Sequence, residues 1–371
     1  MSRMLHTFML IFCAKLSMAT PLDTQKIQDA IDYIHLFYVE DNIQDNFTDQ
    51  ALTGILSYLD PHSQYLTNEQ ADALKTITQG DFVGVGLSLS LQNQKLIVTN
   101  ILPNTPAEKS NLKVHDVITH IDQTPIDPNN LLNNIKKMRG PSNSWVTLTR
   151  QTAPFNIRLQ RKTIDIPEVN IENLPENITR IHISLFNEDT TDDLIKALYN
   201  NQDADAYLID LRNNPGGLLG AAINATMLFL NYDTVPDATI TQLIGKHSTM
   251  PFQLPPEATD ITQNKPLFIL LNQNSASGAE IFASALQYYK RATILGETSQ
   301  GKGTVQSLIP LGDGSMLKLT TAYFTRPNGD PINNIGIIPD FTINPMTKTP
   351  LSKALSFIRK SLSSTETFHA K

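Results

Sequence analysis

The chain has 371 residues, 40% of them hydrophobic and 18% charged, without a low-complexity tract. That length holds two or three domains and a substantial core. The formal net charge of −7 argues against a nucleic-acid partner, because such partners select for basic stripes.

Residues 1–20 have the outline of a secretory signal. Arg3 supplies the positive start, residues 8–14 the apolar stretch, and Ser17-Met18-Ala19 a small-x-small cleavage site. The stretch is too short to span a bilayer, which takes about 20 apolar residues. The expectation is therefore export, to a periplasm if the source is bacterial, with no transmembrane segment. The single cysteine, Cys13, lies inside this segment. Ile11 and Phe12 precede it where a lipid-attachment box has small residues, so Cys13 is expected to leave with the signal rather than to anchor a lipoprotein. A mature chain without cysteine has no thiol for a disulfide, for catalysis or for metal binding. Neither a metal nor a cofactor is expected.

Residues 21–79 read as a helical region, with Ile27, Ile31 and Ile34 at helical spacing and a second apolar stretch from Ala51 to Leu56. The region closes on Leu59-Asp60-Pro61-His62-Ser63-Gln64-Tyr65-Leu66, where Asp-Pro forces a turn. His62 reads as a polar residue organising that turn rather than as a catalytic one.

Residues 80–165 change character. Gly80-Asp81-Phe82-Val83-Gly84-Val85-Gly86-Leu87 is a glycine-punctuated loop that runs into an alternating strand. Its exposed backbone N–H groups suit capture of a carboxylate. A phosphate cradle would need a lysine and a following helix, and both are missing. Strands follow at Leu96-Ile97-Val98, Asp116-Val117-Ile118 and Trp145-Val146-Thr147-Leu148-Thr149-Arg150. From Gly80 to Arg150 the pattern resembles a PDZ domain of the bacterial type. Asn111 and His115 stand where glycine is common there, and both residue types tolerate left-handed backbone.

From 166 the strands and helices alternate, the mark of an α/β domain. Strands are expected at 180–186 and 206–212. The second ends in Asn213-Asn214-Pro215-Gly216-Gly217, a loop that is either a tight turn or a donor of N–H groups to an oxyanion. A buried strand at 267–271 then breaks at Asn272 and enters Ser275-Ala276-Ser277-Gly278-Ala279-Glu280-Ile281, the start of a helix. Ser277 should sit where the strand turns into that helix, with free helix N–H groups pointing at it. After a strand at 292–296 comes Gly301-Lys302-Gly303-Thr304-Val305-Gln306, read as a strand whose alternation puts Lys302, Thr304 and Gln306 on one face. A hairpin turn at Gly312-Asp313-Gly314 and a final helix over 349–363 complete the chain.

These stretches, in this order, resemble the carboxyl-terminal processing proteases, also called tail-specific proteases. The resemblance implies a Clp-protease/crotonase-like α/β core with an inserted PDZ domain and an N-terminal helical region. The segments would be a signal at 1–20, the helical region at 21–79, the PDZ domain and connecting strand at 80–165, the protease core at 166–348, and a C-terminal helix and tail at 349–371. It implies that Ser277 is the nucleophile, that Lys302, 25 positions on, is the general base, and that Gln306 positions the lysine. Gly278 follows the nucleophile and is the natural first oxyanion donor; Gly216 or Gly217 supplies the second. Glu280 has a supporting role, capping the helix or ordering the site. The loop of Phe82, Val83, Gly84, Val85, Gly86 and Leu87 would hold the substrate's C-terminal carboxylate and its apolar last side chain. Two departures are Gly278-Ala279 in place of Ala-Ser, and Ser299-Gln300 in place of Thr-Phe.

A lysine is a useful base only as a free amine, and burial among apolar residues lowers its pKa far enough to provide one. The runner-up base is His182. The rival from another class is a catalytically silent PDZ scaffold that binds C-terminal tails. Expected partners are proteins or peptides with free apolar C-termini, an adaptor that presents them, and a second copy of the chain docked through the helical ends.

Overall fold

The computed structural model describes residues 24–40, 46–78, 81–102, 104–128, 131–153, 155–165, 168–344 and 349–369. The signal reading of residues 1–20, Cys13 included, lies outside the described residues. The chain divides into two compact units, residues 1–59 and 60–371. The first contains α1 (Thr24–Phe37) and α2 (Phe47–Leu59). Its α1 buries no residue, and Tyr33, Leu36 and Phe37 are exposed.

In the second unit, β3 (Leu87–Gln92), β4 (Lys95–Ile101), β5 (Val117–Ile121), β7 (Trp145–Arg150) and β8 (Asn156–Gln160) form an antiparallel sheet in that order. The short β6 (Thr124–Pro125) pairs with β5, and α4 (Leu131–Met138) completes the module. Buried positions alternate with less buried ones along β4 and β7, and Leu96, Val98, Ile118, Val146 and Leu148 pack into one core. His115 adopts φ +75°, the left-handed backbone expected of it, and Asn111 does not. The chain enters and leaves this module through a two-stranded ribbon of β2 (Asp81–Gly84) and β9 (Lys162–Asp165).

The larger core is an α/β layer structure. Its sheet runs β10 (Val169–Leu174), β11 (Ile178–Ile183), β12 (Ala206–Asp210), β15 (Leu267–Leu271), β16 (Thr293–Gly296) and β19 (Phe341–Thr342); β10 is antiparallel and the rest parallel. Every residue of β12 and β15 is buried, because helices cover both faces. Tyr207, Ile209 and Ile269 pack with α5 (Thr190–Tyr199), α6 (Leu219–Met227) and α7 (Gly278–Tyr288). Leu208, Phe268 and Leu270 pack instead with Ala354 and Ile358 of α8 (Pro350–His369).

A second sheet is centred on β18 (Met316–Phe324), which pairs with β17 (Thr304–Pro310), β13 (Thr239–Gly245) and β1 (Gln64–Leu66); β14 (Thr249–Gln253) continues it beyond β13. The stretch expected to be helical up to 79 therefore contains a strand of this sheet, followed by α3 (Asn68–Thr78). Burial of Tyr65 and Leu66 against β18 decides that outcome. The β13–β14 hairpin has no counterpart among the expectations from sequence.

Candidate active site

Ser277 stands between β15 and α7 with φ +55° and ψ −114°. A non-glycine residue in such backbone costs about 1–3 kcal/mol and persists only where its surroundings hold it. The holding bonds are plain. Ala276 N–H donates to the Asn214 carbonyl at 2.9 Å, Ser275 Oγ to the Leu211 carbonyl at 2.8 Å, and Ser277 N–H to Glu280 Oε2 at 2.8 Å. A strained strand-to-helix turn of this kind carries the side-chain hydroxyl clear of the backbone.

Glu280 is fully buried and accepts from four donors. Its Oε2 takes the N–H of Ser277 at 2.8 Å and of Lys302 at 2.9 Å; its Oε1 takes Ser299 Oγ at 2.6 Å and the N–H of Gly301 at 2.7 Å. One carboxylate thus clasps the serine turn and the lysine segment together. Burial pushes the Glu280 carboxyl above its ordinary value, and the four donors oppose that shift.

Lys302 is half-buried and lies just ahead of β17, not within it. The expected single strand face through Lys302, Thr304 and Gln306 is corrected accordingly: β17 begins at Thr304, and its register shifts between Val305 and Gln306. Gly301 bends the approach at φ +79°, where a Cβ would meet Ile335 N at 2.9 Å. Burial lowers the Lys302 pKa and the like charge of Lys318 lowers it further, while Glu280 pulls it back up. Gln306 Nε2 donates to Thr304 Oγ1 at 2.9 Å and Thr320 Oγ1 at 3.2 Å.

The Gly216-Gly217 loop abuts the serine turn. A Cβ on Gly216 would lie 2.6 Å from Ser277 Cβ and 2.8 Å from Gly278 N. The N–H of Gly216 is engaged by Asn214 Oδ1 at 2.8 Å, and its carbonyl accepts Phe186 N–H at 2.8 Å. In a trans peptide the N–H points opposite to the carbonyl, so the N–H of Gly217 faces away from Phe186. Among the described residues, neither Gly217 N–H nor Gly278 N–H has a hydrogen-bond partner.

His182, the alternative base, lies on β11 with Nδ1 2.9 Å from the Asp210 carbonyl. Asp210 is fully buried beneath Arg180 and Arg212; burial opposes its charge, yet the two guanidinium groups hold its carboxyl below the ordinary value. In the turn after α2 the organising residue is Asp60, not His62: Asp60 Oδ1 accepts the N–H groups of both His62 and Ser63. Aspartate before proline with serine three positions on is the local pattern that signals this role.

Of the expected carboxylate loop, Phe82, Val83 and Gly84 lie in the ladder with β9, and Leu87 begins β3. Only Val85 and Gly86 lie in the turn between. Val85 turns its side chain into the PDZ-like core. Gly86, at φ +86°, leaves no space for a Cβ beside Thr105. The N–H groups of Val85 and Gly86 have no partner among the described residues.

A family model for the PDZ domain matches residues 74–151, and one for Peptidase family S41 matches residues 177–343. The chain is 34% identical over 325 residues to a carboxy-terminal-processing protease of Bartonella bacilliformis, covering 85% of this chain and 74% of that one. It is 31% identical over 338 residues to a protein of Staphylococcus aureus named a probable CtpA-like serine protease, covering 90% of this chain and 66% of that one. Among solved structures, a photosystem II D1 C-terminal processing protease superposes with a TM-score of 0.53 at 26% identity over 87% of each chain. The match is to the whole arrangement of PDZ module and α/β core, and this chain belongs to the carboxy-terminal-processing proteases, serine peptidases of family S41.

Proposed function

We propose that the chain cleaves proteins near their C-terminal tails with Ser277 as nucleophile and Lys302 as general base. The observation that carries this reading is the Glu280 carboxylate, which holds the N–H groups of both residues on one oxygen. The neutral Lys302 amine takes the Ser277 hydroxyl proton as Oγ attacks the peptide carbonyl. Negative charge then develops on the carbonyl oxygen, between the N–H groups of Gly278 and Gly217. Gly217 is preferred over Gly216 because the Gly216 N–H is already taken by Asn214. The Lys302 ammonium gives its proton to the leaving amine, and water repeats the cycle on the acyl-enzyme. Gln306 supplies an amide oxygen to the ammonium between those steps.

Only the free amine is a base, so activity rises with pH through the Lys302 pKa. Lys318→Met removes a like charge, lets that pKa rise, and moves the ascending limb of kcat/KM to higher pH. An unmoved limb would take Lys318 out of the account of how the amine is kept neutral.

The PDZ module is proposed to receive the substrate's free carboxylate at the N–H groups of Val85 and Gly86. Peptides with a free apolar C-terminus are then cleaved at least about tenfold faster than the same peptides amidated, the ratio that loss of a charge-assisted hydrogen bond brings. Equal rates would remove the carboxylate from recognition. A silent scaffold that only binds tails would shorten neither peptide.

Export is supported by the signal outline of residues 1–20. Among the described residues no helix is long and apolar enough to cross a membrane. The exposed apolar residues of α1 support self-association as a homodimer.

A further inference from the structure

The turn at residues 60–63 is docked on β18 directly behind Gln306. Asp60 Oδ1 accepts the Thr320 hydroxyl at 3.1 Å, and Asp60 Oδ2 accepts Ser63 Oγ at 2.6 Å. Ser63 Oγ in turn accepts the Thr320 N–H at 3.0 Å. An ionised carboxylate has no hydrogen to give, so the one hydroxyl hydrogen of Thr320 is committed to Asp60. The group that meets Thr320 Oγ1 at 3.2 Å from the other side must therefore be a donor. That requirement decides which way the Gln306 side-chain amide faces. Its NH2 is spent on Thr320 and Thr304, which leaves its oxygen as the acceptor of the pair. Burial works against the Asp60 charge, but hydrogen bonds from Ser63, His62 and Thr320 hold its carboxyl below the ordinary value.

We infer that Asp60 is a positioning residue for the peptidase site, acting through the Thr320 hydroxyl to lock the Gln306 amide with its oxygen available to Lys302. The inference rests on the Ser277–Lys302 reading and on Gln306 as the lysine's partner. It assigns a part in the chemistry to an aspartate more than 200 positions away in sequence, through a chain of three side chains. Without the Asp60 acceptor, the Thr320 hydroxyl turns to donate to Gln306, the amide flips, and an NH2 group faces the ammonium. Ser63 contributes by seating the turn, so that Asp60 reaches Thr320.

The test uses the full chain and an unstructured protein substrate. Thr320→Val removes the hydroxyl at nearly constant shape, and Thr320→Ser restores it. Thr320→Val and Asp60→Ala, which removes the acceptor that an asparagine oxygen would keep, should each lower kcat about five- to tenfold with KM unchanged, the size expected for one misdirected hydrogen bond. Thr320→Ser should return kcat to within about twofold of the parent. In a Gln306→Ala background the Thr320→Val change should cost nothing further, because residues that act as one unit are not additive. A purely structural role predicts instead the same loss with and without Gln306, and no difference in kcat between Val and Ser at equal thermal midpoint. Either result would overturn the inference, as would full activity in Gln306→Ala. If Asp60→Ala does not fold, the Thr320 pair decides the question alone. Activity surviving in Lys302→Ala would mark failure of the dyad itself, a separate outcome read from a separate variant.

Discussion

Lys302→Ala should abolish proteolysis of an unstructured protein with an apolar C-terminus, and Ser277→Ala should do the same. Each loss should reach at least about 10³-fold in kcat, the scale set by removing a nucleophile or its base. Lys302→Arg should be as inactive as alanine, because a guanidinium stays protonated and cannot act as base. His182→Ala should keep most of the activity: its ring is tied to the Asp210 carbonyl on β11. None of these changes should lower the thermal midpoint much. Lys302 is held in place through its backbone N–H on Glu280, a bond that alanine preserves. The decisive measurement is the rate of substrate loss for the four variants beside the parent. Activity in Lys302→Ala would move the base elsewhere, with His182 the first candidate.

The second large effect is expected at Gly217. A Cβ there would lie 2.0 Å from the Phe186 carbonyl oxygen, with φ at +131°. Backbone, not a flexible side-chain end, stands in the way, so Gly217→Ala must shift the loop and with it the Gly217 N–H. Loss of one oxyanion donor lowers kcat by about 10²–10³. The displaced loop should also lower stability by about 1–3 kcal/mol, the cost of forcing a side chain into backbone of this kind. Gly220→Ala, three positions on, is the control. That glycine sits in α6 with open space around its Cβ position. Alanine there should be neutral, or stabilise by up to about 1 kcal/mol through chain entropy. Denaturant titration and kcat on both variants separate the two effects. A fully active Gly217→Ala would exclude the Gly217 N–H as the oxyanion donor.

Much of the core was readable before any coordinates. The run at 267–271 announces a buried strand because no polar residue interrupts it, and the run from Ala206 announces another, which the structure ends at Asp210 rather than at Arg212. Ser277 at the head of an apolar helical run announces a turn with free N–H groups. The fold class and the family follow from these elements in their order. Other features were not readable, and the reason differs in each case. Tyr65 and Leu66 look like the tail of a helical region until β18 is there to pair with them. Thr304 and Gln306 look like alternate residues of one strand that includes Lys302, until a register shift moves the ladder. His62 draws the eye as a titratable group, whereas the turn is built on Asp60, whose partners come mostly from its own neighbours and from Thr320.

Local chemistry along the chain is enough to specify which residues can react and which elements carry them. Helix and strand periods, glycines at bends, and a serine followed by Gly278 and Glu280 are all short-range properties, legible within a dozen residues. The distances that make those residues a site are not short-range. Glu280 meets the N–H of Lys302 from 22 positions away, Gly216 meets Ser277 across 61, and Asp60 meets Thr320 across 260. The first two contacts exist only once parallel strands bury both faces and bring their C-terminal ends to one edge, and the third only once the turn at 60–63 docks on the antiparallel β18. Their free energy comes from packing and from buried hydrogen bonds that no local segment can form alone.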